Sequence, residues 1–271
     1  MKIDSLPDTA PHKKKLLCLM AKYLDIFAEC YSEIATTNLT LDEITTENVS
    51  PLGQPARRLL DGKMRAPVEF KIDNLVAANI ARASTFLWAS LVVMVRKKDD
   101  GWQMCVNYCR LNSVTKFDCF PLPRLDEDFD AFAGATVLRS FDLAMAYHQV
   151  SVKPSDIEKT AFITNVGLFK MQKIPVGLCN AWSIYQRLMA KLLQELIGRI
   201  CLAYSDNVIV SSKKRLKHAT YFRAGFDRSR SAPKTIAVDQ LAVRRSNTVP
   251  RLRNLGSCVF PDPAKLGVLA D

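Results

Sequence analysis

Apolar positions along the chain change their spacing several times, and each change predicts an element. Over residues 91–98 the β-rich run LVVMVRKK meets the turn DDG, and WQMCVNY follows. That pattern is a β-hairpin closed by a glycine-containing loop. FPLPR at 120–124 is punctuated by prolines and opens an expected helix over 125–133. Short strands are expected over 137–143, 148–152 and 160–164. From 180 to 197 the spacing becomes helical: Ile184, Leu188, Leu192 and Leu196 recur every fourth residue beside Tyr185, Met189, Leu193 and Ile197. Asn180 stands where an N-cap belongs. Two apolar strands, 200–204 and 208–211, then fold around a Ser-Asp-Asn tip, and a basic helix is expected over 213–226. Upstream, one helix is expected over 13–31, and the polar stretch 36–50 reads as loop. Residues 229–257 lack periodicity and read as irregular. Mixed strands and helices without a regular βαβ order predict an α+β fold.

Composition adds three constraints. The chain has 271 residues, 48% of them hydrophobic, which suffices for a sizeable core. No apolar run approaches the roughly 18 residues of a membrane span, and LLCLMA near the N-terminus is too short for a signal peptide. Eight cysteines without framework spacing suit a reducing compartment. The formal charge of +11 is unevenly placed: residues 213–253 hold twelve Lys and Arg against Asp227 and Asp239. Such a stripe is either a solvated tail or a surface for phosphate backbones.

Two acids lie in similar surroundings, Asp142 at the end of an expected strand and Asp206 at the hairpin tip. Carboxylates sharing a sheet edge can hold Mg²⁺ through oxygen ligands and support phosphoryl displacement. Aspartate is equally ordinary in a turn, so spacing alone leaves both readings open.

Longer blocks decide between them. CVNYCRLNSVTKFDCFPLPR, FDLAMAYHQVSVKPSDIEKTAFIT, VGLCNAWSIYQRLM and AYSDNVIVSSK follow one another in an order and spacing that resemble the reverse transcriptase domain of Gypsy-like LTR retrotransposon (retrovirus-related) Pol polyproteins. PLGQPARRL and WASLVVMVRKKDDGWQM resemble that family's lead-in. The resemblance implies a right-hand polymerase fold: a polar extension over 1–59, fingers over 60–140, a palm over 141–228, and a basic, degenerate tail over 229–271 with the thumb largely missing. It implies Asp142 and Asp206 as catalytic metal ligands with the Leu143 carbonyl, and Asn207 where the family's Tyr-x-Asp-Asp hairpin carries a second aspartate. Tyr147 falls on the aromatic gate against a nucleotide 2′-OH. Pro175, Gly177, Gln186 and Tyr204 fall on nucleotide- or template-binding positions, and Lys97 and Lys98 on the fingers hairpin that meets the triphosphate. The implied reaction is RNA-directed DNA synthesis with two Mg²⁺ ions, for which Mn²⁺ can substitute. Implied partners are a primed RNA or DNA template and deoxynucleoside triphosphates.

The chain departs from this pattern at several points. Asn207 is read as a lost carboxylate, with a tolerated turn residue as the alternative. Asn107 and Cys109 stand where the family has Asp and Arg, Ala146 replaces a Gly, and Trp182 replaces a small Pro, a volume increase expected to strain the site. Resemblance lapses over 231–255 and returns at LRNLGSCVFPDPAKLGVLAD, which is what two compensating frameshifts would leave. The chain reads as a polyprotein fragment impaired in catalysis. A catalytically silent nucleic-acid-binding remnant and a relic that does not fold are the other readings. Cytoplasmic localisation is expected, with nuclear access through KKRLK at 213–217.

Some features are set aside. Cys105, Cys109 and Cys119 are read as buried thiols rather than zinc ligands, because strand residues four apart are separated by about 13 Å. Cys179 and Cys201 read as core residues, His148 as structural, and Trp102 as a packing residue.

Overall fold

The computed structural model describes residues 18–19, 21–28, 31–55, 65–85, 87–96, 101–121, 134–135, 137–204, 206–213, 215–231 and 238–245. In chain order the strands are β1 (Thr37–Asp42), β2 (Ala81–Ala83), β3 (Ser90–Arg96), β4 (Trp102–Asn107), β5 (Val137–Leu143), β6 (Val150–Val152), β7 (Phe162–Thr164), β8 (Gly167–Met171), β9 (Cys201–Tyr204), β10 (Asn207–Ser212) and β11 (Val238–Arg245). Helices are α1 (Arg65–Ala77), α2 (Cys109–Asn112), α3 (Ala181–Leu192) and α4 (Arg215–Ser231).

Two larger sheets organise these elements. One has the order β2-β8-β7-β3-β4, and the expected β3–β4 hairpin forms its edge with Arg96 opposite Trp102. The other has the order β11-β5-β10-β9 and contains the Asp142 strand and the Asp206 hairpin as neighbours. A main core gathers the apolar face of α3 (Ile184, Tyr185, Leu188, Met189, Leu192) against Phe141, Leu143, Val208 and Val210. Behind the sheet, α4 lays Phe222 and Phe226 on Phe141 with ring centroids 5.6 and 5.5 Å away. The alternation of Val208 and Val210 therefore follows the inward face of β10, while the unbroken run at 201–203 is buried along its whole length.

Tertiary pairing overrides local pattern in four places. Of the helix expected over 13–31, residues 18, 19 and 21 are helical, after which the chain forms short 3-10 turns at Leu24–Ile26 and Tyr31–Glu33; residues 13–17 and 20 lie outside the described residues. There, Tyr23 and Phe27 pack on Phe226, at 5.4 and 5.9 Å. The expected loop at 36–50 contains β1, paired in parallel with β6. This polar N-terminal region is also more than an extension, since Leu19, Tyr23, Ile26 and Ile44 join the main core. Within the segment read as irregular, β11 runs antiparallel to β5, with Gln240 opposite Asp142. An otherwise open edge of β5 presents unpaired N–H and C=O groups, which any extended segment can satisfy. The expected helix at 125–133 lies outside the described residues.

Cysteine placement also differs from expectation. Cys201 is buried and Cys105 and Cys179 are half-buried, but Cys109 and Cys119 are exposed. The chain turns into α2 at Cys109, so Cys105 and Cys109 do not share a strand. Trp102 is exposed rather than packed.

Candidate active site

Antiparallel register sets the geometry of the candidate site. Asn207 is the cross-strand partner of Asp142 on β5 and of Tyr204 on β9. Directly opposed residues in such a ladder place their Cβ atoms on one face, about 4.5–5.5 Å apart. The Leu143 N–H donates to the Asp206 carbonyl at 2.7 Å, closing the tip against the end of β5. Asp142, Leu143, Asp206 and Asn207 therefore meet at one end of the sheet.

The Asn207 side chain takes a definite role there. Its Nδ2–H donates to Asp206 Oδ1 at 3.0 Å. An ionised carboxylate only accepts, so the amide must present its nitrogen to it. A carboxylate at 207 would instead repel Asp206. The asparagine relieves that repulsion, occupies a lone pair on Asp206, and removes one negative charge from the site.

Tyr147 sits in a 3-10 turn, Ala146–Gln149, five residues past Asp142. Met145 enters this turn in the left-handed conformation, at φ 44° and ψ 48°. Ala146 does not have positive φ, so losing a glycine there imposes no left-handed alanine. Gln149 Nε2–H donates to the Ala144 carbonyl at 2.6 Å and braces the turn from inside. His148 Nδ1 lies 3.0 Å from the Ile174 carbonyl, and burial pushes its pKa down to about 4, so the neutral ring donates that bond. The structural reading of His148 fits this placement.

Beneath Tyr147 lies Tyr185 of α3, fully buried, with ring centroids 5.5 Å apart. Its hydroxyl has no hydrogen-bond partner, which costs about 1–3 kcal/mol for a sealed donor. Burial, then the charges of Asp206 and Tyr147, push its pKa well above the usual phenol range, so the group stays protonated. Sequence reasoning counted Tyr185 as core only; a hydroxyl on a position of the apolar helix face was the available signal.

The loop containing Pro175 and Gly177 is held by two asparagines. Asn112 Nδ2–H donates to the Gly177 carbonyl at 2.8 Å, and its Oδ1 accepts the Cys179 N–H at 3.0 Å. Asn180 makes no cap bond on α3; its Nδ2–H donates to the Lys116 carbonyl and its Oδ1 accepts the Asp118 N–H. Gly177 has φ +105°, and a Cβ would lie 3.5 Å from the Val106 carbonyl. Gln186 is buried and donates from Nε2 to the Ala203 carbonyl at 3.0 Å, so it braces β9 rather than facing solvent. Trp182 is half-buried and meets Tyr204 edge-on at 6.3 Å, an accommodated ring rather than a displaced one. Asn107 Oδ1 accepts the Cys109 N–H at 3.0 Å and so retains a structural use at the start of α2. Lys97 and Lys98 lie outside the described residues.

The donor set at the hairpin is two carboxylates, an amide and backbone carbonyls. These hard oxygen atoms fit a cation of the Mg²⁺ class. With Asn207 the set carries one charge fewer than three carboxylates would.

The family description "Reverse transcriptase (RNA-dependent DNA polymerase)" matches residues 95–239, more than half of the chain. The chain belongs to the reverse transcriptase family. Over 200 residues it is 32% identical to the retrovirus-related Pol polyprotein from transposon opus of Drosophila melanogaster, covering 72% of this chain and 20% of that protein. Over 160 residues it is 31% identical to the corresponding polyprotein from transposon gypsy of the same organism, covering 57% and 16%. The Tf2-7 polyprotein of Schizosaccharomyces pombe is 30% identical over 183 residues, covering 67% and 13%. This reverse transcriptase domain thus spans a fifth or less of these three relatives. A foamy viral protease-reverse transcriptase in complex with RNA/DNA hybrid superposes with a TM-score of 0.78 at 17% identity, covering 89% of this chain and 32% of that one. The native Prototype Foamy Virus protein gives 0.75 at 17% identity, covering 97% and 40%. These likenesses establish the right-hand polymerase fold. The reverse transcriptase family uses divalent metal ions.

Proposed function

We propose that this domain is the fingers–palm part of an RNA-directed DNA polymerase, slowed by the asparagine at its hairpin. One observation carries the reading: the β5–β10 register brings Asp142 and Asp206 to the same end of one sheet, inside a domain of the reverse transcriptase family. Asp142, Asp206 and the Leu143 carbonyl would hold two Mg²⁺ ions, or Mn²⁺ in their place. Bound there, the ions would activate a primer 3′-OH and neutralise a departing pyrophosphate.

The remaining roles belong to the chain itself. Tyr147 stands over the sugar position and excludes a 2′-OH. The Gly177 loop, clamped by Asn112 and Asn180, holds the strand on which a template base would rest. Gln186 fixes β9 and thereby the height of Tyr204 and Asp206. Asn207 keeps its N–H on Asp206 and must turn its amide away before Asp206 Oδ1 can take another partner. Substrates in this reading are a primed RNA or DNA template and deoxynucleoside triphosphates.

Primer extension on an RNA template, with the native chain, Asn207→Asp and Asp206→Ala side by side, tests the reading. Extension by the native chain is expected, abolished by Asp206→Ala. A rise of roughly a hundredfold is expected with Asn207→Asp, matching about 3 kcal/mol of transition-state stabilisation. No extension by any of the three, with salt-dependent primer–template binding retained, would replace this reading with a catalytically silent nucleic-acid-binding module.

A further inference from the structure

The Tyr185 phenol is the least explained polar group near the hairpin. Its ring is part of the main core, which a phenylalanine would serve equally well. Its hydroxyl is sealed from solvent and without a partner, yet it lies within electrostatic reach of both Asp206 and Tyr147. Tyr147 is half-buried, and its ring lies 5.5 Å from that of Tyr185, tilted 57° to it. The turn that carries Tyr147 is entered through a left-handed, exposed Met145, a conformation that stores strain at this point. With the two rings 5.5 Å apart, a movement of Tyr147 that brings its hydroxyl to Tyr185 satisfies the sealed donor.

We propose that Tyr185 is a positioning residue for the sugar gate: its ring sets the tilt of Tyr147, and its hydroxyl gains a partner in the Tyr147 hydroxyl when that ring settles over a bound deoxynucleotide. This rests on the proposed polymerase function. The partnerless hydroxyl destabilises the ligand-free domain, and pairing makes the closed gate more favourable than ring packing alone. A ribonucleotide, whose 2′-OH stops Tyr147 from settling, does not restore the bond. Tyr185 thus adds to discrimination between the two sugars without touching either.

The test uses the full chain on a primer–template with Ca²⁺ replacing Mg²⁺, titrated with a deoxynucleoside triphosphate and with its ribonucleotide counterpart. Tyr185→Phe keeps the ring and removes the hydroxyl. It is expected to raise the melting temperature of the ligand-free chain and to weaken deoxynucleotide binding by about fivefold, the effect of one neutral hydrogen bond. Ribonucleotide affinity is expected to stay the same, so the ratio between the two narrows. Tyr147→Phe removes the proposed partner, and the double variant should lose no more than either single one. Unchanged deoxynucleotide affinity in Tyr185→Phe, or additive losses in the double variant, would overturn the positioning role while leaving the polymerase reading intact. A native chain that binds neither nucleotide would overturn both.

Discussion

The substitution Asp42→Asn keeps a side chain's shape and deletes an ionisable group from the interior. Asp42 ends β1 at 1% exposure, and its Oδ2 has no hydrogen-bond partner. Its neighbour Asp156 is better served, accepting from Lys159 Nζ at 2.8 Å and from the Ile44 N–H at 3.1 Å. Lys153 pairs outward with Glu43, leaving only its backbone N–H for the Asp42 carbonyl. Burial, reinforced by the Asp156 charge, raises the Asp42 pKa to about 7. An unfolded aspartate titrates near 3.9, so the folded chain holds this proton more tightly than the unfolded one. Stability is therefore complete below about pH 4, falls as pH rises towards 7, and is flat above about pH 8. A difference of about 3 units at 1.36 kcal/mol each is about 4 kcal/mol, or about 10 °C in melting temperature for a domain of this size. Thermal melts at pH 4 and pH 8 measure most of it. Asp42→Asn should match the native chain closely at pH 4 and exceed it at pH 8. His148, held neutral in the fold, titrates alike in both proteins and cancels. Parallel pH profiles for the two proteins would refute the argument.

Other consequences follow from the packing. Phe226 is fully buried among Tyr23, Phe27, Phe141 and Phe222, so Phe226→Ala should cost about 4 kcal/mol in urea unfolding and release the N-terminal segment to proteolysis. Gly177→Ala places a Cβ at φ +105° and should cost about 1–3 kcal/mol in chemical denaturation, with weaker primer–template binding because the clamped loop shifts. Addition of Mg²⁺ should raise the melting temperature of Asn207→Asp more than that of the native chain, since a third carboxylate replaces an N–H donor at Asp206. Equal shifts would show that residue 207 stays clear of the ion.

Much of the site was legible because it is built from local features. A period-2 apolar run makes β10, a fourfold repeat makes α3, and a polar tip between two strands marks Asp206; these depend on nearest neighbours in sequence. The ordered blocks then assigned Asp142, Tyr147 and Asn207 their places. What remained hidden depends on residues far apart along the chain. Two threonines and the alternating Leu39 and Leu41 are only a short β signal over 37–42 until β6 offers an edge, and nothing near Asp42 announces a buried acid until Asp156 is brought beside it. β11 exists because β5 leaves an edge to fill, and the expected helix gives way to a 3-10 turn at Leu24–Ile26 where Tyr23 and Phe27 pack on Phe226. The sequence by itself determined the elements and the chemistry available to them, through spacing and residue type. Only the tertiary structure decided that Asn207 would bond Asp206 and that Tyr185 would be sealed beneath Tyr147, because burial and hydrogen-bond partners are properties of packed neighbours rather than of the chain's order.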